Sequence, residues 1–260
     1  MVTLIRPGQR IISPPGVRVI SGTQAARGAG VDYIAKVLTY SPIAYWPLNE
    51  TSGTAAVCQV NAAQNGTYAR NVTTMGTGTG IGDGGTAPDF DGTNDFVDIF
   101  SVTLNSVFNG AEGTINIWAK VSGAGVWTDS TNRTFVRIGS SNTTNYMRIL
   151  KTTTNSQIQF IRKANNVNEV VNGTSSNTGW LSWSLTWSVG ADQVIAYIGG
   201  APVGSPVTSL NAYSGALLNT ITCIGSNNTT PNLAWDGYLA HAAVFGSALN
   251  STQIADLATV

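Results

Sequence analysis

Hydrophobic and small polar residues alternate strictly in the segment LSWSLTWS, residues 181–188. Successive side chains of a β-strand point to opposite faces, so a period of two predicts a strand here. The apolar face carries Leu181, Trp183, Leu185 and Trp187, and the other face carries Ser182, Ser184, Thr186 and Ser188. Residues 194–198 are β-branched and aromatic and predict a second strand of the same hairpin. Since one hairpin is not stable alone, the rest of the chain must supply an opposing sheet.

The remaining pattern predicts many more strands and only short helices. Asp32 can cap a helix over residues 33–39, and Asn250 with Gln253 three residues later predicts a helix near the C-terminus. Thr and Gly dominate residues 73–88, which are predicted to be a surface loop. The spacing of the strands predicts an all-β sandwich. Its further strands are expected at 43–48, at 88–99 (two strands joined by a turn at Asp91-Gly92), and at 113–121, 134–139, 146–151, 157–162, 221–225 and 235–245.

Residues 1–31 differ from the rest, because all of their charges are arginines and Pro and Gly interrupt every regular pattern. We therefore predict an extended N-terminal arm, 1–31, and a domain, 32–260. The arm is expected to dock on a neighbouring subunit, partly by strand addition. Its docking residues would be the cations Arg6, Arg10, Arg18 and Arg27 and the apolar Ile11, Ile12, Val17, Val19 and Ile20.

Composition limits the functions that the chain can perform. Only 10% of the 260 residues are charged and the net charge is zero, so no global field favours nucleic acid or an anionic membrane. No apolar run approaches the ~20 residues of a membrane helix, and the N-terminus lacks the apolar segment of a signal peptide. We expect synthesis in a cytoplasm and release by lysis. Cys58 and Cys223 are predicted to be buried free thiols, although neighbouring strands would allow them to pair.

Seven segments, taken in order, resemble the laminin-G-like, concanavalin A-like domains, especially those of bacterial and phage proteins. They are YSPIAYWPLNETSG (40–53), NGTY (65–68), FDGTNDFVDI (90–99), GTINIWAKV (113–121), the hairpin with LTW and YIGG, ITCIGS (221–226) and WDGYLAHAAVFGSALNSTQI (235–254). The resemblance covers about residues 32–260. It implies a jelly roll of two antiparallel sheets, flanked here by short helices and preceded by the arm.

The resemblance does not fix a function, since relatives bind glycans, proteins or calcium, and related glucanases cleave sugars. Those glucanases place two carboxylates two to four residues apart on one strand. Here Glu50, Glu112 and Glu169 are isolated, so we expect no enzyme. Asp83, Asp89, Asp91, Asp95 and Asp98 form an acidic cluster in the sequence. However, Ala240 and His241 stand where many relatives carry a calcium-fixing acid, so calcium is not favoured and no cofactor is expected.

Aromatic and amide side chains could form a sugar platform, because aromatic faces stack on sugar rings and amides match their hydroxyls. The candidate glycan contacts are Trp127, Asn142, Asn145, Tyr146, Asn227 and Asn228. Exposed-looking Trp in a β protein also serves as core or subunit interface. The only histidine, His241, is expected to be a packed or surface residue rather than a catalyst.

Together, the arm, the single domain, the low charge and the phage-like form of the domain predict a structural virion protein of a bacteriophage. It would be a capsid decoration protein or a short head- or tail-fibre component, with the jelly roll displayed on the virion surface. Its partner would be the major capsid or tail protein, and a homo-oligomer, plausibly a trimer, is expected. The alternatives are a glycan-binding adhesin on the virion, which recognises a host-surface glycan, and a free carbohydrate-binding protein.

Overall fold

The computed structural model describes residues 32–69, 75–76 and 78–260, so the predicted arm and its docking residues lie outside the described residues. The helices are α1 (Tyr33–Thr39), α2 (Val102–Val107) and α3 (Ser251–Leu257), with 3-10 turns at Ala62–Gln64 and Ala124–Thr128. The first strands are β1 (Pro42–Trp46), β2 (Ala55–Ala56), β3 (Gly66–Ala69), β4 (Gly78–Thr79), β5 (Thr86–Ala87), β6 (Asp89–Asp91), β7 (Phe96–Asp98) and β8 (Glu112–Val121). They are followed by β9 (Arg133–Gly139), β10 (Tyr146–Lys151), β11 (Gln157–Ala164), β12 (Val167–Thr174), β13 (Leu181–Ser188), β14 (Gln193–Ile198), β15 (Ala201–Val207), β16 (Cys223–Ile224) and β17 (Asp236–Phe245).

Two antiparallel sheets form the body of the domain. The first sheet has the order β1-β17-β8-β13-β14-β15, with β6 also paired to β17. The second sheet has the order β12-β11-β10-β9-β16-β7-β3-β2, and β4 and β5 form a separate small hairpin. The predicted two-sheet antiparallel sandwich with few short helices is therefore confirmed.

The main core lies between the two sheets. Trp183, Leu185 and Trp187 project from β13 into it, as the alternation predicts, and Phe135 and Phe160 enter it from the second sheet. All five side chains are at least 98% buried. Burial of such large apolar groups is the dominant favourable term in folding. The strand period of β13 thus determines which face of the first sheet meets the second sheet.

A second, smaller core covers the other face of the first sheet. It joins Tyr33 and Val37 of α1, Trp118 of β8, and Ile254 and Leu257 of α3. Asp32 caps α1 through a bond from the Ile34 N–H, and Asn250 and Gln253 form a capping box on α3, so both helices begin where the sequence predicts. Because these helices lie on it, the hydroxyl face of β13 is largely buried as well.

The hydroxyl face of β13 is held by an amide beneath those helices. The Asn116 side-chain amide donates to the hydroxyls of Ser182 and Ser184, both at 2.7 Å. These bonds satisfy the amide nitrogen and the two hydroxyls, as the low dielectric of the interior favours, while Asn116 Oδ1 has no partner among the described residues. The serines, which alternation alone would place at the surface, therefore line an internal polar seam.

Several elements differ from the predictions. The predicted loop 73–88 contains the short strands β4 and β5, and the predicted strand 221–225 is only two residues long. The strands β12 and β15 and the helix α2 were not predicted. Both cysteines are buried and free, which confirms the prediction of unpaired thiols. No helix in the described part of the chain has the length and apolar character needed to cross a membrane.

Candidate functional site

The hairpin of β9 and β10 brings two arginines face to face on the outer side of the second sheet. Arg137 lies opposite Arg148 in the ladder. The guanidinium carbons lie 4.3 Å and 5.4 Å from the ring centroid of Tyr146, within the range of cation–π contact. We call Arg137, Asn142, Tyr146, Arg148 and Asn227 the arginine–amide cluster.

Amide and carbonyl oxygens hold these guanidinium groups. Arg137 Nη1 donates to Oδ1 and to the backbone oxygen of Asn227, at 2.9 Å and 3.1 Å, and its Nη2 donates to the backbone oxygen of Asn142 at 2.8 Å. Arg148 Nη1 donates to the same Asn227 Oδ1 at 2.7 Å. The arginines therefore tie the 226–232 loop to the β9–β10 turn.

Neither arginine has a carboxylate within 4.0 Å among the described residues. Their Nε atoms are both buried, and neither has a hydrogen-bond partner in the described part of the chain. Burial, together with the nearby charge of Arg148, lowers the pKa of Arg137 to about 10. Burial also lowers the pKa of Arg148. The cluster thus holds two positive charges that lack a negative partner.

The structure places five of the six predicted glycan contacts around this cluster. Asn142, Tyr146 and Asn227 belong to it. Asn145 precedes Tyr146 and accepts from the Asn165 N–H at 2.9 Å. Asn228 follows Asn227, and its backbone oxygen accepts a bond from Ser226. Their role in binding stays a prediction.

Trp127 is the exception and requires a correction. It is 3% exposed, its Nε1 donates to the backbone oxygen of Asn177, and its ring packs 6.3 Å from that of Trp183. It is therefore a core residue and does not present a face to a sugar. Tyr146 is also only 9% exposed, because the arginines cover it, so it does not offer an open stacking platform.

A groove of about 500 Å³ lies on the outer side of the first sheet, where β13, β14 and β15 meet the segment that leads into α3. We call it the hydroxyl groove. Its apolar lining consists of Ala191, Ile195, Pro202, Pro206, Ala248 and Leu249, and its polar lining of Thr186, Ser188, Gln193, Tyr197, Asn250 and Ser251. None of these lining residues carries a charge. The volume is within the range of small-molecule sites.

Sequence reasoning missed this groove, although part of the signal was present. The hydroxyls of Thr186 and Ser188 come from the polar face that the alternation identified, and Asn250 and Ser251 come from the predicted helix cap. The opposite wall is β15, whose Pro and Gly content concealed it as a strand.

The carboxylates do not form a catalytic pair. A cleft of about 310 Å³ contains Asp129 and Asp236, and Arg133 joins them, at 2.7 Å and 3.4 Å. Burial alone would raise the pKa of Asp129, but hydrogen bonds from Lys151 and Arg133 help to lower it below its ordinary value. A carboxylate held in its ionised form is a poor general acid for glycoside cleavage.

The three glutamates are each engaged elsewhere. Glu50 accepts from the Tyr68 hydroxyl, Glu112 from the Ala248 N–H, and Glu169 pairs with Arg162. The three glutamates, which are isolated from one another in the sequence, therefore also contact different residues in the folded domain.

The predicted acidic cluster divides among three places. Asp83 contacts His241, Asp98 lies on β7 in the second sheet, and the others lie on or beside β6, namely Asp89, Asp91 and Asp95. Within the described ranges, no group of three or more Asp, Glu, His or Cys side chains is arranged to hold a metal ion.

Asp95 is the most perturbed member of that cluster. It is 2% exposed, its Oδ2 accepts from the Asp91 N–H, and its Oδ1 has no partner among the described residues. Burial, together with the charges of Asp91 and Asp89, raises its pKa from 3.8 to about 6, although the bond from the Asp91 N–H acts in the opposite direction. The folded state therefore holds a proton on Asp95 that the unfolded state releases at lower pH.

We expect Asp95→Asn to stabilise the domain at alkaline pH. A raised folded pKa contributes stability below the unfolded pKa, and that contribution is lost as the pH rises through about 6. Relative to the parent, the variant should gain roughly 1.5 kcal/mol in the free energy of unfolding between about pH 5 and about pH 8. Urea unfolding of both proteins at the two pH values measures this gain. A difference between variant and parent that does not change with pH would show that Asp95 has an ordinary pKa.

His241 is a buried structural residue, 1% exposed. Its Nδ1 lies 2.6 Å from the Tyr45 hydroxyl and its Nε2 lies 3.1 Å from Asp83 Oδ2. The bond from His241 lowers the pKa of Asp83. These contacts fix the loop before β5 to β17, so the expectation of a packed histidine agrees with its position.

Three of the solved structures with a similar fold are complexes with a sugar. Domain 4 of AbnA, a GH43 extracellular arabinanase from Geobacillus stearothermophilus, in complex with arabinotriose, matches with a TM-score of 0.57 and 15% identity, covering 84% of this chain and 98% of that one. The Ruminococcus gnavus IT-sialidase CBM40 bound to alpha2,3 sialyllactose matches with a TM-score of 0.53 and 10% identity, covering 66% and 96%.

The third is the Trypanosoma rangeli sialidase in complex with sialic acid, with a TM-score of 0.56 and 11% identity. The match covers 83% of this chain but only 32% of the sialidase. At these identities the likeness shows the fold alone. No curated protein sequence matches the chain significantly.

The family of the chain follows from its sequence. The laminin G family model described as "Concanavalin A-like lectin/glucanases superfamily" matches residues 91–255, which is more than half of the chain. These residues run from the end of β6 into α3 and include both halves of the sandwich core. The chain belongs to the concanavalin A-like lectin/glucanases superfamily.

Proposed function

We propose that this domain is a non-catalytic carbohydrate-binding module and that the hydroxyl groove is its sugar site. The observation that carries the proposal is the lining of the groove, in which uncharged hydroxyls and amides alternate with apolar side chains and no residue is charged. Sugars offer the complementary surface, with C–H faces that pack on apolar side chains and hydroxyls that accept and donate hydrogen bonds.

The similar structures support this proposal over an enzymatic one. Two of them are separate domains named in complex with arabinotriose and with sialyllactose, and this chain covers almost all of each. The sialidase matches only over a third of its length, so its whole activity does not transfer to this chain. The engaged carboxylates of the 310 Å³ cleft, Asp129 and Asp236, point the same way.

A glycan array with the full chain tests the proposal, followed by calorimetric titration of the best neutral ligand. We expect Gln193→Ala to weaken that ligand about five-fold, because each lost neutral hydrogen bond costs about 1 kcal/mol. Gln193 is exposed and lines the groove, so the fold should not change. The exposed Gln59, which lies outside the groove, supplies the matched control Gln59→Ala.

Two results would contradict the proposal. One is an array on which no glycan is retained. The other is a neutral ligand whose affinity falls equally in both glutamine variants, since that would place the sugar outside the groove. Release of reducing sugar from a bound polysaccharide would instead show an enzyme.

The predicted virion role depends on residues 1–31 and stays a prediction, as do the capsid or tail partner, the homo-oligomer and the virion surface location. It is compatible with sugar binding, because a carbohydrate-binding domain displayed on a particle is an adhesin. This prediction requires that the chain copurify with intact phage particles. It also requires that copurification be lost when residues 1–31 are deleted.

A further inference from the structure

The arginine–amide cluster is electrostatically incomplete. Arg137 is 3% exposed and lies opposite Arg148, and two like charges at this separation repel each other. Among the described residues, Lys36, Arg133, Lys151 and Arg162 each lie within 4.0 Å of a carboxylate, whereas Arg137 and Arg148, like Lys120 and Lys163, do not. The bonds to Asn227 and Asn142 stabilise the loops but leave the repulsion between the two charges uncompensated, and such a local cost is typical of a functional site.

The available acceptors satisfy only part of the cluster. Asn227 Oδ1 is shared between the two guanidinium groups, and both Nε donors remain unpaired among the described residues. Lys163 lies opposite Tyr146 in the β10–β11 ladder and adds a third cation beside them. Arg148 is only half-buried, so the charge of the cluster reaches the surface.

We propose that the arginine–amide cluster binds the carboxylate of an acidic sugar. This inference rests on the proposed carbohydrate-binding function but uses a second site, on the sheet opposite to the hydroxyl groove. A carboxylate supplies the missing negative charge and up to four lone pairs for guanidinium donors. The amides of Asn142 and Asn227 then border the sugar ring, where its hydroxyls need partners.

The chemistry of the surroundings favours an acidic sugar over nucleic acid. A nucleic-acid surface needs a row of cations that follows the phosphates, and this chain has no net positive charge. The cluster is instead compact, with two arginines over one aromatic ring, a lysine opposite that tyrosine in the ladder, and amides at its border. Such a patch matches a single anionic group on an otherwise neutral, hydroxylated ligand.

Calorimetric titration of the full chain with 3′-sialyllactose and with lactose tests the inference. These probes share the lactose unit and differ by a sugar that bears a carboxylate. We expect sialyllactose to bind at least about ten-fold more tightly, since hydrogen bonds to a charged group are about twice as strong as neutral ones. The preference should shrink as sodium chloride is added, because salt screens exposed charges.

Substitutions test which residues cause the preference for sialyllactose over lactose. Arg148→Gln should abolish it, and Arg148→Lys, which keeps the charge but not the planar fork, should reduce it. Lys120→Gln, on β8 of the first sheet, is the matched control and should keep it. Arg148→Gln removes a like-charge repulsion but also the bond to Asn227 Oδ1, so its urea midpoint should change little, whereas loss of a purely structural arginine would lower it clearly.

The outcomes separate this inference from the proposed function. Equal affinity for the two probes, or a preference that persists in Arg148→Gln, overturns the acidic-sugar site while leaving the groove untouched. Gln193→Ala should weaken a neutral ligand but keep the carboxylate preference. Binding of inorganic sulfate in place of sialyllactose would also overturn the inference, because it would show a general anion site.

Discussion

Replacing Trp183 by alanine is expected to lower the free energy of unfolding by about 3–5 kcal/mol. Trp183 is 1% exposed at the centre of the main core, where its ring lies 5.2 Å from that of Phe135, 6.3 Å from Trp127 and 6.5 Å from Phe160. Alanine would leave a cavity among three rings, and two of them, Phe135 and Phe160, lie on strands that are fixed by their own pairing. Since a domain is stabilised by only about 5–15 kcal/mol, this loss is a large fraction of the total.

The matched comparison is Trp180→Ala. Trp180 is only half-buried, its Nε1 donates to the Thr79 backbone oxygen at 3.2 Å, and its ring lies 6.4 Å from that of Tyr238. We expect its removal to cost about 1 kcal/mol, because it leaves no enclosed cavity. Urea unfolding followed by circular dichroism measures both variants. Equal losses for the two tryptophans would show that Trp183 does not occupy the centre of the core.

Trp183→Phe distinguishes ring packing from the indole N–H. The Nε1 of Trp183 is buried and has no acceptor among the described residues. Phenylalanine removes this donor and keeps an aromatic ring, so its cost should be well below that of alanine. A loss as large as that of alanine would indicate that the larger indole surface is required for contact with Phe135.

The alternation of Trp183, Leu185 and Trp187 was enough to predict β13 because burial of one face outweighs other preferences. The same reasoning failed for β15, where Pro202 and Pro206 lack the N–H that a central strand needs. At the edge of the first sheet, β15 pairs only with β14, so missing donors are tolerated there. Whether residues 201–207 form a strand therefore depends on their place at the edge of the sheet, which the local sequence does not reveal.

The candidate sites could also be predicted only in part from the local sequence. The amides of the β9–β10 turn identified the region of the cluster, but the opposition of Arg137 and Arg148 depends on where an Asn-, Ser- and Thr-rich turn reverses the chain. Several registers satisfy such a turn equally well. Asn227, which both arginines contact, lies 90 residues from Arg137 and 79 residues from Arg148 in the sequence. Pairing over that distance is a property of the folded sandwich.

Replacing Glu169 by alanine is the second change with a large expected effect, about 3–5 kcal/mol of the free energy of unfolding. Glu169 and Arg162 are 2% and 0% exposed and form a buried ion pair. Arg162 Nη2 also donates to the backbone oxygens of Gly110 and Asn211, at 3.1 Å and 2.9 Å. Removing the carboxylate leaves a buried cation without its counter-charge, which costs more than the loss of one hydrogen bond.

A double variant separates the buried charge from the rest of the interaction. Arg162→Met combined with Glu169→Ala should be more stable than Glu169→Ala alone, since no uncompensated charge remains. Glu112→Ala is the control, because Glu112 is exposed and makes one long bond to the Ala248 N–H at 3.3 Å; it should cost less than about 1 kcal/mol. If the double variant is less stable than both single variants, the pair acts mainly through its backbone contacts.

The ion pair should also influence the arginine–amide cluster from a distance. Glu169 accepts from the Asn211 N–H at 2.7 Å and so fixes the segment that carries Tyr213. The Tyr213 hydroxyl accepts from the Ser140 N–H at 2.9 Å, next to the turn that bears Asn142. We therefore expect Glu169→Ala to weaken the preference for sialyllactose under conditions where the variant is still folded, while Trp180→Ala leaves it unchanged. An unaltered preference would mean that the turn is positioned by the two arginines alone.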